Sequence, residues 1–210
     1  MSDTATNVII VIPVLLISMS IHEMLHAFTS HWLGDDTAYH QGRVSLNPLR
    51  HIDPIFTVAL PVVLVMLGAA PFAAARPVQV NFNRLKYGEF GGAIVGMVGP
   101  LTNLLIAVIA ALIFRHSPPT TQLAFDIYRV VISLNVGLFI FNSIPWPPLD
   151  GSRLLYAFAP APLQEFMESI ERMGLNGLII FMLVFLTFLS VPLSMLIRHL
   201  SNWLLGTPVF

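Results

Sequence analysis

Residues 8–33 read VIIVIPVLLISMSIHEMLHAFTSHWL, with no lysine, arginine or aspartate among them. At 1.5 Å per helical residue this stretch crosses a hydrocarbon layer of about 30 Å. Its second half nevertheless carries His22, Glu23 and His26. Histidines four residues apart project about 40° from each other on one helix face, so both imidazoles can reach one cation. The glutamate between them lies beside that face, within reach of water held there. The chain's own histidine and glutamate content predicts about 0.005 such matches by chance. Burying three such groups in a membrane helix costs several kcal/mol unless they have partners or a function. The stretch therefore reads as a membrane helix built around a metal-ligating pair.

The rest of the chain supports a membrane setting. Of 210 residues, 56% are hydrophobic and only 10% charged. An ordinary soluble domain carries about 25% charged residues, so a water-facing globule and intrinsic disorder are both excluded. The formal net charge of -1 offers no basic field for nucleic acid. Cysteine is absent, which removes disulfides, thiolate metal sites and cysteine nucleophiles, and leaves His, Asp and Glu as metal ligands. No period-2 barrel pattern is visible.

Five stretches are nearly free of charge, at about 8–33, 54–75, 90–114, 123–147 and 173–197. Asp126 and Arg129 interrupt the fourth and are spaced to pair on one helix face. The expected fold is an all-α polytopic membrane protein of four to six membrane helices with a short membrane-associated β element. No lysine or arginine precedes Arg43, so the first stretch lacks a signal-peptide n-region and its N-terminus is expected outside. Arg43 and Arg50, then Arg76, Arg84 and Lys86, place the two following loops in the cytoplasm. Both loops share a side if 54–75 re-enters as a hairpin bent at Pro61, Gly68 and Pro71; a plain span is the alternative. In 76–84, Val78, Val80 and Phe82 alternate with polar residues as in a strand. Residues 152–172 read as a surface segment with a short amphipathic helix. One domain is expected over 1–210, its core at about 8–155 and a C-terminal amphipathic segment and helix over 156–210.

Two histidines and a base do not complete a catalytic zinc site, which takes three protein ligands. Asp53, Glu89, Asp126, Asp150 and the other histidines are candidates for the third. Asp150 is the best placed. It ends Asn142-Ser-Ile-Pro-Trp-Pro-Pro-Leu-Asp150-Gly151, where three prolines unwind a helix end and Gly151 permits a tight turn. The plainer reading is a helix-terminating loop with Asp150 as an N-cap.

His22-Glu23-xx-His26 in a membrane helix, then Gly99-Pro100-Leu-Thr-Asn103, then Asn142-xx-Pro145-xx-Pro148-Leu-Asp150-Gly151, resembles the site-2 protease family of intramembrane zinc metalloproteases. The resemblance covers about residues 15–155, including the 42–54 loop and the 76–81 segment. It is to the short, compact branch without an appended PDZ or CBS domain. The resemblance implies that His22, His26 and Asp150 bind one Zn2+ and that Glu23 is the general base and later the proton donor to the leaving amine. It implies that Asn142 donates to the scissile carbonyl oxygen, a role that an uncharged amide suits. Val78 and Val80 would lie on the β element that pairs with an unwound substrate. The implied setting is the prokaryotic cytoplasmic membrane, with the site toward the cytoplasm. The implied partners are single-span membrane proteins, cleaved in regulated intramembrane proteolysis.

The remaining polar residues read more plainly. His31 points elsewhere, near the interface; His40, His51 and Asp53 sit in the loop that follows, where His51 with Asp53 orders the loop or forms a second polar cluster. Asn103 makes interhelical hydrogen bonds, and Asn135 is a candidate for supporting the site. Gly91, Gly92, Gly96 and Gly99 serve helix packing. A membrane metal-ion carrier, or a non-proteolytic metal-binding membrane protein, is the competing function. A carrier needs neither the Glu of the motif nor convergence of its polar residues on one point.

Overall fold

The computed structural model describes residues 3–52 and 77–206, which are mostly helical and contain no strand among them. The first helix, α1 (Asp3–Trp32), is followed by the single turn α2 (Thr37–His40) and a 3-10 turn (Pro48–Arg50). A second 3-10 turn (Phe82–Arg84) precedes α3 (Glu89–His116) and α4 (Gln122–Asn142). Two short helices follow, α5 (Gly151–Phe158) and α6 (Ala161–Arg172). Then α7 (Leu175–Val184) runs through a π turn (Phe185–Leu189) into α8 (Ser190–Leu205). Among the described residues four segments are long and apolar enough to cross a membrane: Ile9–Trp32, Glu89–His116, Gln122–Asn142 and Asn176–Leu205. The expected stretch 54–75, with Asp53 and Arg76, lies outside the described residues.

Polarity is distributed inside out. Ser18, Ser20, His22, His26, Thr29 and Ser30 of α1 are buried, while Ile9, Ile12 and Ile17 are exposed. Leu101, Leu105, Ile109 and Leu112 of α3 are exposed in the same way. Contiguous apolar surface on this scale belongs against lipid, and the chain is an integral membrane protein.

The central element is α3, which packs against α1, α4, α5 and α8. Ala107, Ala110, Ala111 and Phe114 meet Ile132, Val136 and Ile140 of α4 and Leu204 and Leu205 of α8 in the main apolar core. At its other end α3 is nearly bare: Gly91, Gly92, Gly96 and Gly99 are buried there. Pro100, inside the helix, removes the backbone bond that would otherwise reach Gly96.

The second half of α1 meets the first half of α3, which in turn meets the loop after α4. So α1 and α4 run in parallel, with α3 antiparallel between them. The loops after α1 and before α3 are bonded to each other: Asn81 N–H donates to Asp35 Oδ2 at 2.7 Å, Arg43 Nη2 to Pro77 O at 3.1 Å and Lys86 N–H to Leu33 O at 2.8 Å. The two loops are thereby tied to one side, the side of Asp150.

Three local expectations are corrected or refined. First, α4 stops at Asn142 rather than 147, because Pro145, Pro147 and Pro148 cannot continue a helix. Second, the last helix runs to Leu205, past Arg198 and His199. Third, the segment 77–81 is extended, with Val78, Val80 and Phe82 half-buried and Pro77, Gln79 and Asn81 exposed, the alternation of a strand. It forms no ladder among the described residues, since the neighbouring loop bonds it through side chains. The amphipathic segment is present as α5 and α6; Met167 and Ile170 are buried and Phe166 is exposed. Asp126 and Arg129 pair at 3.6 Å.

Candidate metal centre

His22 Nε2 and His26 Nε2 lie 2.9 Å apart, and Asp150 Oδ2 lies 3.1 Å from the first and 3.4 Å from the second. Both histidines are 6% exposed. Their rings meet nearly edge to face, 76° between planes, so the two Nε2 atoms converge. Each Nδ1 is occupied on the far side. His22 Nδ1–H donates to Asn103 Oδ1 at 2.6 Å and His26 Nδ1–H to the Val95 carbonyl at 2.7 Å. Both acceptors lack a proton of their own to give, so the ring protons sit on Nδ1 and both Nε2 atoms present lone pairs. Two imidazole lone pairs and a carboxylate oxygen then face one point with no proton between them, an arrangement that a cation satisfies.

Asp150 is the N-cap residue of α5, yet its side chain makes no capping bond. The carboxylate turns to the imidazoles instead, against the plain capping reading. The turn that aims it needs Gly151, where a Cβ would lie 2.8 Å from the Ile144 carbonyl.

The wall behind the cluster is α3. A Cβ on Gly99 would lie 2.6 Å from His22 Nε2 and closer still to His26 Nε2. One on Gly96 would lie 2.8 Å from the Asp150 carbonyl and from Arg153 Cβ. These glycines are more than packing material: bare backbone is what lets two ligand-bearing elements close on the same point. The donor set of two nitrogens and one oxygen, buried and preset in tautomer, fits zinc, whose ligand atoms stand about 3.4 Å apart in a tetrahedron. Neither glycine's part was drawn from the sequence; the spacing Gly96-xx-Gly99-Pro100 was its only trace.

The bond from His22 continues as a chain. Asn103 Nδ2–H donates to Asn135 Oδ1 at 2.9 Å, and Asn135 Nδ2 donates to Ser18 Oγ at 3.0 Å and to the Val131 carbonyl at 2.9 Å. Both asparagines are fully buried. The chain joins α1, α3 and α4 and returns to α1 one turn before His22. Asn103 thus bonds between helices, as expected, and does so onto a ligand.

Glu23 is half-buried next to the pair, and His26, His22, Asp150 and His51 all act electrostatically on its carboxylate. Asn142 is half-buried at the end of α4, one amide N–H given to the Leu138 carbonyl at 3.0 Å. Val80 packs with Phe82 on a small cluster of Leu33, Leu85 and Val95, so Val95, whose carbonyl accepts from His26, also seats the extended segment through its side chain. Arg153, three residues past Asp150, lies 4.2 Å from the centre of the Phe82 ring and pairs with Glu171 of α6 at 2.8 Å. Tyr156 ties α5 to α6 through Glu168 at 2.7 Å, a bond that pushes its phenol up to about 12. His31 pairs with Asp36, away from the cluster.

Comparison with known proteins agrees with this geometry. YwhC of Bacillus subtilis, which carries a provisional zinc metalloprotease name, is 35% identical over 181 residues, covering 82% of this chain and 78% of its own length. Rip2 of Mycolicibacterium smegmatis, with the same kind of name, is 27% identical over 93% of this chain and 72% of its own. Rip2 of Mycobacterium tuberculosis is 27% identical over 80% of this chain and 64% of its own. No family model matches the chain, and no solved structure does. With its metal-ready trio and these relatives, the chain belongs to the site-2 protease family, and its cofactor is zinc.

Proposed function

We propose that this protein is an intramembrane zinc metalloendopeptidase that hydrolyses peptide bonds in or near the transmembrane segments of other membrane proteins. The observation that carries the reading is the convergence of His22, His26 and Asp150, all within 4.8 Å of one another, at the seam of membrane-length helices with Glu23 alongside. Those three residues would hold the ion. Zinc supplies Lewis acidity that makes water a nucleophile near neutral pH. Glu23 takes the proton of the attacking water on its carboxylate and returns it to the nitrogen of the departing amine. Asn142 has a second amide N–H beyond the one given to Leu138, and it donates to the carbonyl oxygen as that oxygen gains charge.

The extended segment 77–81 receives the substrate. Its half-buried Val78 and Val80 anchor it to the protein, and its backbone is offered to an unwound polypeptide, which β-augmentation recognises by main chain rather than sequence. The substrates are single-span proteins of the prokaryotic cytoplasmic membrane, cut from the cytoplasmic side. The test is reconstitution of the purified protein with single-span substrates. Cleavage that stops with a chelator and returns with added zinc supports the proposal. Cleavage indifferent to the chelator contradicts it.

A further inference from the structure

The loop after α1 is built to bury one imidazole. Asn47 Oδ1 accepts Leu49 N–H at 3.1 Å and starts the turn Pro48–Arg50, and Arg50 Nη1 donates to the Gly42 carbonyl at 2.7 Å. The turn packs against α1. His51, directly after it, is 3% exposed. Its Nε2–H donates to the Ser45 carbonyl at 2.7 Å, which orders the loop and leaves Nδ1 as a lone-pair acceptor. That Nδ1 is buried and has no hydrogen-bond partner among the described residues. An acceptor left unmade in the interior costs free energy, so it calls for a partner beyond the described residues.

Two observations give the partner's position. His51 lies within electrostatic reach of the Glu23 carboxylate, the one such group outside the ligand trio. In addition, the buried Arg43 guanidinium donates both to the Arg50 carbonyl, one residue before His51, and to the Pro77 carbonyl, where the extended segment begins. One side chain therefore clamps the His51 turn to the segment proposed to hold the substrate main chain. The His51 turn is thereby held both to that segment and to α1, the helix that bears the proposed base. What Glu23 serves there is the scissile nitrogen, the one substrate atom that carries an N–H and receives a proton.

We propose that His51 is a further catalytic residue, whose Nδ1 accepts the N–H of the scissile nitrogen while Glu23 delivers the second proton to that nitrogen. The His51 step forms and breaks no covalent bond: it holds the N–H so that the nitrogen lone pair faces Glu23. The inference rests on the peptidase reading.

The test uses the full-length, zinc-loaded protein and a pair of apolar peptide analogues, a phosphonamidate and the phosphonate ester in which oxygen replaces its N–H. One good hydrogen bond predicts that wild type binds the N–H compound about tenfold more tightly than the ester. His51→Gln keeps a donor for Ser45 at the Nε2 position but has no acceptor at Nδ1; it should retain zinc and bind the two compounds alike. His51→Asn places its carbonyl oxygen near Nδ1 and should keep part of the preference. A wild-type ratio near one, an undiminished ratio in His51→Gln, or loss of zinc in that variant overturns the assignment. Should His51→Gln fail to fold, the His51→Asn ratio decides: above one supports the assignment, one overturns it. If neither compound binds wild type, the peptidase reading fails and this inference with it.

Discussion

Replacing Asn103 by leucine should weaken zinc binding without touching a ligand. His22 Nδ1–H donates a hydrogen bond to Asn103 Oδ1 at 2.6 Å in a buried setting. Removing that acceptor strands a buried N–H, a cost of about 1–3 kcal/mol, and frees the ring to turn. Loss of such a bond to a ligating histidine typically lowers metal affinity by about 10–100-fold. The effect should fade along the chain of bonds. Asn135→Leu strands Asn103 Nδ2–H and takes the donor from Ser18 Oγ, neither of them on a ligand, and should cost about three- to tenfold. In Ser18→Ala, Asn135 still has the Val131 carbonyl at 2.9 Å, so affinity should stay within about twofold. Competition with a chromophoric chelator gives the affinities, and the visible spectrum of the cobalt-substituted protein reports ligand geometry. Wild-type affinity in Asn103→Leu, or equal losses in all three variants, would refute the claim that this chain orients His22.

Gly99→Ala should abolish zinc binding, because its methyl would occupy the space in front of both Nε2 atoms; the overpacking adds about 1–3 kcal/mol of destabilisation, and metal analysis of the purified variant checks it. Asp150→Asn should lose most zinc, an amide being a poor ligand for a divalent ion. Since the Asp150 side chain makes no capping bond, the thermal midpoint of the metal-free protein should barely move, and a drop of several degrees would assign it a structural role. Cysteines introduced at positions 45 and 84 should react with an impermeant thiol reagent from one membrane face and one at 117 from the other, a clean experiment in a chain without native cysteine.

The polar residues of the site were legible because the membrane makes them expensive. His22, Glu23 and His26 stand out against an apolar helix, and Asp150 against a run of prolines that cannot be helical. The membrane helices were legible for the same reason, although their ends were not: α4 ends at Asn142, three residues before the first proline and five before the apolar stretch gives out. What the sequence concealed depends on contacts between distant elements. Nothing local tells that Gly99 backs both imidazoles, since a glycine that packs helices and one that clears room for an ion look alike. Nor does anything local separate His51, with one nitrogen unmatched among the described residues, from an ordinary loop histidine. The alternation of Val78, Val80 and Phe82 is present as burial but not as a ladder, because a strand needs a partner that the described residues do not supply.

The most direct test of the account is Glu23→Gln, assayed for zinc content and for cleavage of a reconstituted single-span substrate. Glu23 is not a ligand, so the variant should carry one zinc per chain, as wild type should. The amide cannot take a proton from water, so cleavage should fall by about a thousandfold or more. Zinc retained with cleavage undiminished would contradict the proposed base.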